Sequence, residues 1–295
     1  MVTKSGMEAG FCKVCKGGFW SSGRRVVDGI GEKYVSVAQP RTNIVGDIAL
    51  IKEINSKAEL DEMLSADALP SNAIFTVNSS LDVVDANGVA FTDVKSVINA
   101  LDYKILPVFK ISDTQTADKL SVLYKRYNFY DLAVMGSEEV VKYARTKDVI
   151  IRGVIDYTST YTSALTDAQI SDVITESNRN KGTLVVLSKE AATPEAIKTL
   201  FQSMTNVWLL AGDSLTEAER YSSLLSGATG VISDDFDELL DIACNKLAKN
   251  TLTRASSNVA HRGLSGVAPE NTVYAVQRAF EEGAQMVEID LFLTT

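Results

Sequence analysis

A single histidine, three cysteines and no long apolar run are found in a chain of 295 residues. Positive charge is also short: 29 Lys and Arg stand against 38 Asp and Glu, a formal net charge of −9. Each shortage excludes something. A net-acidic chain lacks the basic footprint of non-specific nucleic-acid binding, so no nucleic-acid partner is expected. No run reaches the roughly 20 apolar residues of a membrane-spanning helix. The opening MVTKSGMEAGFCKVCKGGFW has no apolar core segment, so as it stands it does not read as a signal peptide. The compartment therefore stays open. Cys12 and Cys15 form a CxxC, and Cys244 sits far away on an expected helix. A zinc site needs two more soft or imidazole ligands, and a redox CxxC opens a helix, whereas Gly-Gly follows here. Cys12 and Cys15 read as incidental thiols of the leader.

What is present is ordinary for a soluble globular chain: 45% hydrophobic and 23% charged residues, enough to bury a substantial core without disulfides. Residues 1–43 are rich in Gly, Ser and Lys, with one strand-like piece, YVSVAQ, and read as a loosely ordered leader. After them a rhythm begins. Runs rich in β-branched residues fall at 47–54, 73–78, 105–112, 130–136, 149–156, 183–188, 206–212 and 230–235. Helical patterns lie between them at 56–67, 92–101, 137–146, 166–180, 193–204, 216–226 and 237–248. Thr92, Ser137, Thr166, Thr193 and Thr216 precede or open several of these as caps, with acidic residues following in SEEVV and TEAE. Eight strands alternating with helices predict an α/β fold, a parallel (β/α)8 TIM-type barrel over residues 44–250. An open doubly wound sheet is the alternative, but no glycine-rich dinucleotide loop follows any strand.

Residues 251–257 read as a linker, and a new βαβ unit then occupies 258–295. Its first strand leads into His261-Arg262-Gly263, its helix is expected from about Glu270 to Glu282 with Pro269 at the start, and its second strand is MVEIDLFL. Val273, Val276 and Phe280 recur on one helical face, and Gly283 fits the stop. Glu288 and Asp290, two apart on a strand, point to the same side. Two carboxylates cannot both stay charged in a dry interior, so at a barrel mouth they call for a divalent cation; all-oxygen ligands suit Mg2+ or Ca2+. A solvated strand face is the plainer reading of E-x-D alone. His261 can trade protons near neutral pH, and Arg262 can fork onto a phosphate. A lone HRG would say little. Together in one βαβ unit these pieces say more.

The order HRG, PENT (Pro269 to Thr272), Gly283-Ala284, then VEID (Val287 to Asp290) resembles the opening of the glycerophosphodiester phosphodiesterase family of metal-dependent barrel enzymes. The resemblance implies hydrolysis of a glycerophosphodiester, a small-molecule substrate, to an alcohol and glycerol 3-phosphate. It implies that His261 is one of two acid/base histidines, that Arg262 holds the phosphate, and that Glu288 and Asp290 are two of three carboxylate ligands of the metal. The second histidine and the third carboxylate should follow on later strands. Neither is in this chain, whose only histidine is His261. The expectation is a fragment of a phosphodiesterase that is inactive alone, with membrane association of the parent left open.

Residues about 44–250 resemble a degenerate barrel of the same type. GATGVISDDFDELLDIA (227–243) is similar to the family's closing segment. In FTVN, Thr76 and Asn78 fall where the carboxylates fall in VEID, and in PVFK only Lys110 remains of the expected carboxylate and lysine. The alternative function for most of the chain is thus a non-catalytic binding or scaffold module. Asp156, Asp213, Asp234 and Asp235, near strand ends, are candidate ligands there, or more simply helix caps. A circular permutation, with 258–295 completing the first barrel, would require one of the eight strands to be wrong, 47–54 first.

Overall fold

A computed structural model describes residues 9–11, 18–20 and 35–293, apart from 47, 128, 130, 148–150, 183 and 255. Cys12 and Cys15 lie outside the described residues. All eight expected strands form, somewhat shorter than the apolar runs that announce them. They are β1 (Ala49–Glu53), β2 (Asn72–Thr76), β3 (Leu106–Lys110), β4 (Ala133–Gly136), β5 (Arg152–Asp156), β6 (Leu184–Ser188), β7 (Asn206–Leu210) and β8 (Gly230–Ile232). Every neighbouring pair is parallel and follows chain order. β8 returns to β1 with Val231 opposite Leu50, which closes the barrel. The strand expected over 47–54 is therefore β1 itself, and no vacancy is left for a permuted strand.

Burial explains the strand signal. Parallel strands with helices outside and side chains inside are apolar on both faces, so they read as continuous runs. Ile51, Ile74, Val108, Met135, Val154, Val186, Trp208 and Ile232 fill the barrel interior. Phe75, Phe109, Val134, Ile155, Val185, Leu187 and Leu209 face the helices instead. Gly230 makes room for the largest interior side chain: a Cβ there would stand 2.5 Å from Trp208 Cδ1.

The helices are α1 (Lys57–Ser65), α2 (Val94–Leu101), α3 (Thr114–Tyr127), α4 (Glu138–Lys147), α5 (Asp167–Arg179), α6 (Pro194–Gln202), α7 (Glu217–Leu224) and α8 (Phe236–Asp241), the last running on as a π-helical turn to Lys246. Thr166, Thr193 and Thr216 cap as expected; the first and last close reciprocal boxes with Gln169 and Glu219. At α2 the cap is Asp93 rather than Thr92, because Thr92 is paired with Val83 in a short hairpin inserted after β2. The longest helix, α3, was not among the expected ones. It carries Thr116 and Ser121 on its buried face, which blurs its apolar period, and Asp113 accepts the Thr116 N–H at its start.

Residues 35–43, the end of the expected leader, are held on the barrel. Val35 is buried and donates to Asp131 Oδ2. Gln39 bonds both Ile48 O and Leu50 N, and Asn43 bonds Cys244 O and Leu247 O. Ile44–Val45 pairs in parallel with Thr251–Leu252. Among the described residues no helix is long and apolar enough to cross a membrane.

Candidate active site

The unit expected over 258–295 forms outside the barrel: β9 (Val259–His261), α9 (Val273–Glu281) and β10 (Met286–Glu288), the two strands pairing in parallel only with each other. Register places His261 opposite Glu288, and His261 Nε2 lies 4.0 Å from Glu288 Oε2. The histidine is three-quarters exposed, open to an incoming molecule.

Three expectations about local structure need correction. The helix begins at Val273, not near Glu270, because Asn271 adopts a left-handed conformation (φ 59°) and Thr272 then caps the Ala275 N–H. The second strand stops at Glu288 instead of reaching residue 293, since its one partner, β9, is three residues long. Asp290 thus lies beyond the strand. The expected apolar face is also turned outward: Ala275 and Ala279 are buried, whereas Val273 and Phe280 are 77% and 53% exposed.

Arg262 gathers the site. It too has positive φ, followed by Gly263 at φ 79°, where an added Cβ would come within 2.7 Å of Ala275 backbone. Only glycine allows that approach. The tight turn aims the Arg262 N–H at Glu288 Oε2, 3.2 Å away. The guanidinium donates to Glu270 Oε1 at 3.0 Å, and its Nε lies 3.1 Å from Asp290 Oδ2. That last contact is close enough for ion pairing but is not aligned as a hydrogen bond, so a buried Nε–H has no hydrogen-bond partner among the described residues. Asn271 ties the parts together. Its N–H donates to Arg262 O at 3.0 Å, and its Oδ1 accepts the Asp290 N–H at 2.8 Å. Glu270 and Asn271 were visible in the PENT motif but carried no expected role. Their partners are eight and nineteen residues away, beyond any local pattern.

His261, Arg262, Glu288 and Asp290 therefore share one place. The donor chemistry of Glu288 and Asp290 suits a hard divalent cation. As a shell it is partial: no group of three His, Cys, Asp or Glu side chains suited to a metal occurs among the described residues.

The mouth of the closed barrel is different. Lys110 Nζ pairs with Asp156 Oδ2 at 3.2 Å, and Asp156 also accepts from Thr158. Asn78 Oδ1 accepts the N–H groups of Ser80 and Asp82, fixing a loop. Asp235 is a structural hub that accepts from Ser214 N, Leu215 N and Arg220. Asp213 receives the Asp234 N–H at 3.4 Å. Burial, and then the neighbouring Asp213, push the Asp234 carboxyl above its ordinary range.

Residues 261–295 match the model of the glycerophosphoryl diester phosphodiesterase family. This segment is similar to that family. Solved structures agree on the fold. A glycerophosphodiester phosphodiesterase from Parabacteroides distasonis superposes with a TM-score of 0.53 at 10% identity, covering 70% of this chain and 99% of its own. One from Agrobacterium tumefaciens gives 0.50 at 10% identity, covering 65% and 99%. At such identity the likeness carries the TIM-type fold alone. Comparison with curated proteins finds no match.

Proposed function

We propose that residues 258–295 open the barrel of a metal-dependent glycerophosphodiester phosphodiesterase, and that residues 44–250 are a degenerate, non-catalytic barrel ahead of it. The carrying observation is the convergence of His261, Glu288 and Asp290 on Arg262 in a βαβ unit that pairs with no strand of the first barrel. The unit's outward Val273 and Phe280, with the exposed Leu291, Phe292 and Leu293, fit a face meant to be covered by further βα units.

In the complete site His261 moves a proton at its imidazole, as one of two general acid/base groups. Arg262 holds the phosphodiester; the fork geometry of its guanidinium suits phosphate oxygens. Glu288 and Asp290 would hold Mg2+ or Ca2+ together with a third carboxylate from the rest of the barrel. The cation would polarise the phosphoryl group and bring the attacking oxygen close. The products are an alcohol and glycerol 3-phosphate. With one histidine and two such carboxylates, residues 1–295 are inactive alone.

The second reading, that residues 44–250 are a binding or scaffold module, is favoured by the self-contained charge at its mouth. Lys110 is paired with Asp156, and Thr76 and Asn78 stand in place of carboxylates.

The test is an assay of glycerophosphocholine hydrolysis by a longer protein that contains residues 1–295. Metal-dependent release of glycerol 3-phosphate is expected, falling by about 100-fold or more in His261→Ala. Residues 1–295 alone should give no turnover. Robust turnover by them would overturn the inactivity, and indifference to His261→Ala would overturn the site.

A further inference from the structure

Helix α3 carries two stripes. Thr116, Ala117, Leu120, Ser121 and Tyr124 are buried against the barrel. A second stripe runs through Lys119, Val122, Leu123, Arg126 and Tyr127, spaced three and four residues apart, so these side chains share one face. A wholly solvated helix face is mostly polar. Here Val122 is 60% exposed and Tyr127 44%.

This stripe is one wall of a groove of about 390 Å3. Leu81, from the loop after β2, is the facing wall, and that loop is firmly built. Asn78 caps it, Leu81 is held at φ 65°, and Lys119 Nζ donates to Ser79 O at 2.5 Å. The volume lies within the range of small-molecule sites, which are apolar with a few polar groups.

Charge at the groove is one-sided. Asp118, its one acid, is turned to Tyr143 Oη and Lys147. The Tyr143 hydrogen bond first, then Lys147, hold its carboxyl below the ordinary range. Lys119 is engaged by the loop. Arg126 makes no ion pair among the described residues, and Lys95 Nζ sits 5.4 Å above the Tyr127 ring, at the same end of the helix. On a chain of net charge −9, an apolar trough ending in two cations is out of character.

We propose that this groove binds one single-chain anionic amphiphile, its hydrocarbon on Leu81, Val122, Leu123 and Tyr127 and its headgroup at Arg126 and Lys95. Carboxylate and phosphate heads share the required chemistry. The inference stands apart from the phosphodiesterase reading.

Calorimetry on the full chain tests it, with dodecanoate, dodecyl phosphate and neutral dodecyl maltoside, all kept below micelle formation. At least one anionic probe should bind at one per chain, and the maltoside at least tenfold more weakly. Whichever anionic head binds more tightly identifies the source. Arg126→Glu should weaken binding about tenfold or more, and Val122→Glu should abolish it. Both residues are exposed, and an unchanged circular dichroism spectrum would establish that the variants fold. Equal binding of the neutral probe, no binding to millimolar concentration, or binding indifferent to both variants would overturn the proposal. So would a concentration-dependent dimer in sedimentation that Val122→Glu dissolves, since a second copy would then be the occupant.

Discussion

Arg262 and Asp290 are held within 3.1 Å of each other, guanidinium Nε against carboxylate Oδ2. The arginine therefore stands where a divalent cation would claim the same carboxylate. The two groups are each about a third exposed, so the pair is worth about 0.5–1 kcal/mol at most. Arg262→Ala should accordingly raise the affinity of this chain for Ca2+ by about two- to fivefold. The Asp290 amide resonance, followed through a Ca2+ titration, reports it directly. Unchanged or weaker binding in the variant would mean that the arginine does not compete for Asp290.

Gly230 packs against Trp208 inside the barrel. Gly230→Ala would place a Cβ 2.5 Å from Trp208 Cδ1 and 3.0 Å from Ile51 Cδ1. Overpacking of that kind destabilises by about 1–3 kcal/mol. Adding Trp208→Leu to Gly230→Ala should recover part of the loss, because the two share one space and their effects do not add. Urea unfolding midpoints of the single and double variants measure this; strict additivity would contradict it.

The eight barrel strands were legible because parallel strands buried on both faces leave uninterrupted Val, Ile and Leu runs. The cap residues Thr166, Thr193 and Thr216 were legible because their hydrogen bonds close within three residues. What escaped depended on distance or on neighbours. Helix α3 hides behind the buried polar Thr116 and Ser121. Thr92 gave way to Asp93 because a hairpin took it. β10 is short because a strand extends only as far as it has a partner. At the site, His261, Arg262, Glu288 and Asp290 could be named from their order along one βαβ unit. The pairing of the arginine with Glu270 and Asp290, and the Asn271 clip, could not, since they depend on how the loop closes.

Asp235 ties together the loops at the mouth of the closed barrel. It accepts two backbone N–H groups, from Ser214 and Leu215, and pairs with Arg220 at 2.8 Å. Its removal strands two backbone donors and a largely buried guanidinium. Asp235→Ala should destabilise the chain by about 2–4 kcal/mol. The same variant should leave Ca2+ binding at Glu288 and Asp290 untouched. Thermal unfolding and the Asp290 titration read the two effects separately; a stability-neutral Asp235→Ala would return this residue to the list of candidate ligands.

Glu219 makes part of the stability of the chain depend on acid pH. It closes the Thr216 box at the start of α7: Oε2 accepts from Thr216 N and Oγ1, and Oε1 meets Lys189 Nζ at 3.1 Å. The Thr216 backbone N–H, then the Thr216 hydroxyl and Lys189, hold its pKa down to about 2. A carboxyl whose folded pKa is depressed favours the folded state wherever it is ionised in both states. That stability is present in full above the unfolded value near 4.5, and it is lost as pH falls through the folded value near 2. Glu219→Gln keeps the shape and much of the hydrogen bonding but removes the charge. It should melt at a lower temperature than the natural chain at pH 7, and the gap should shrink between pH 5 and pH 2. Salt should narrow the gap only in part at pH 7, because the bonds to Thr216 are local whereas the Lys189 contribution is screened. A gap constant from pH 7 to pH 2 would mean that the Glu219 charge contributes nothing to the cap.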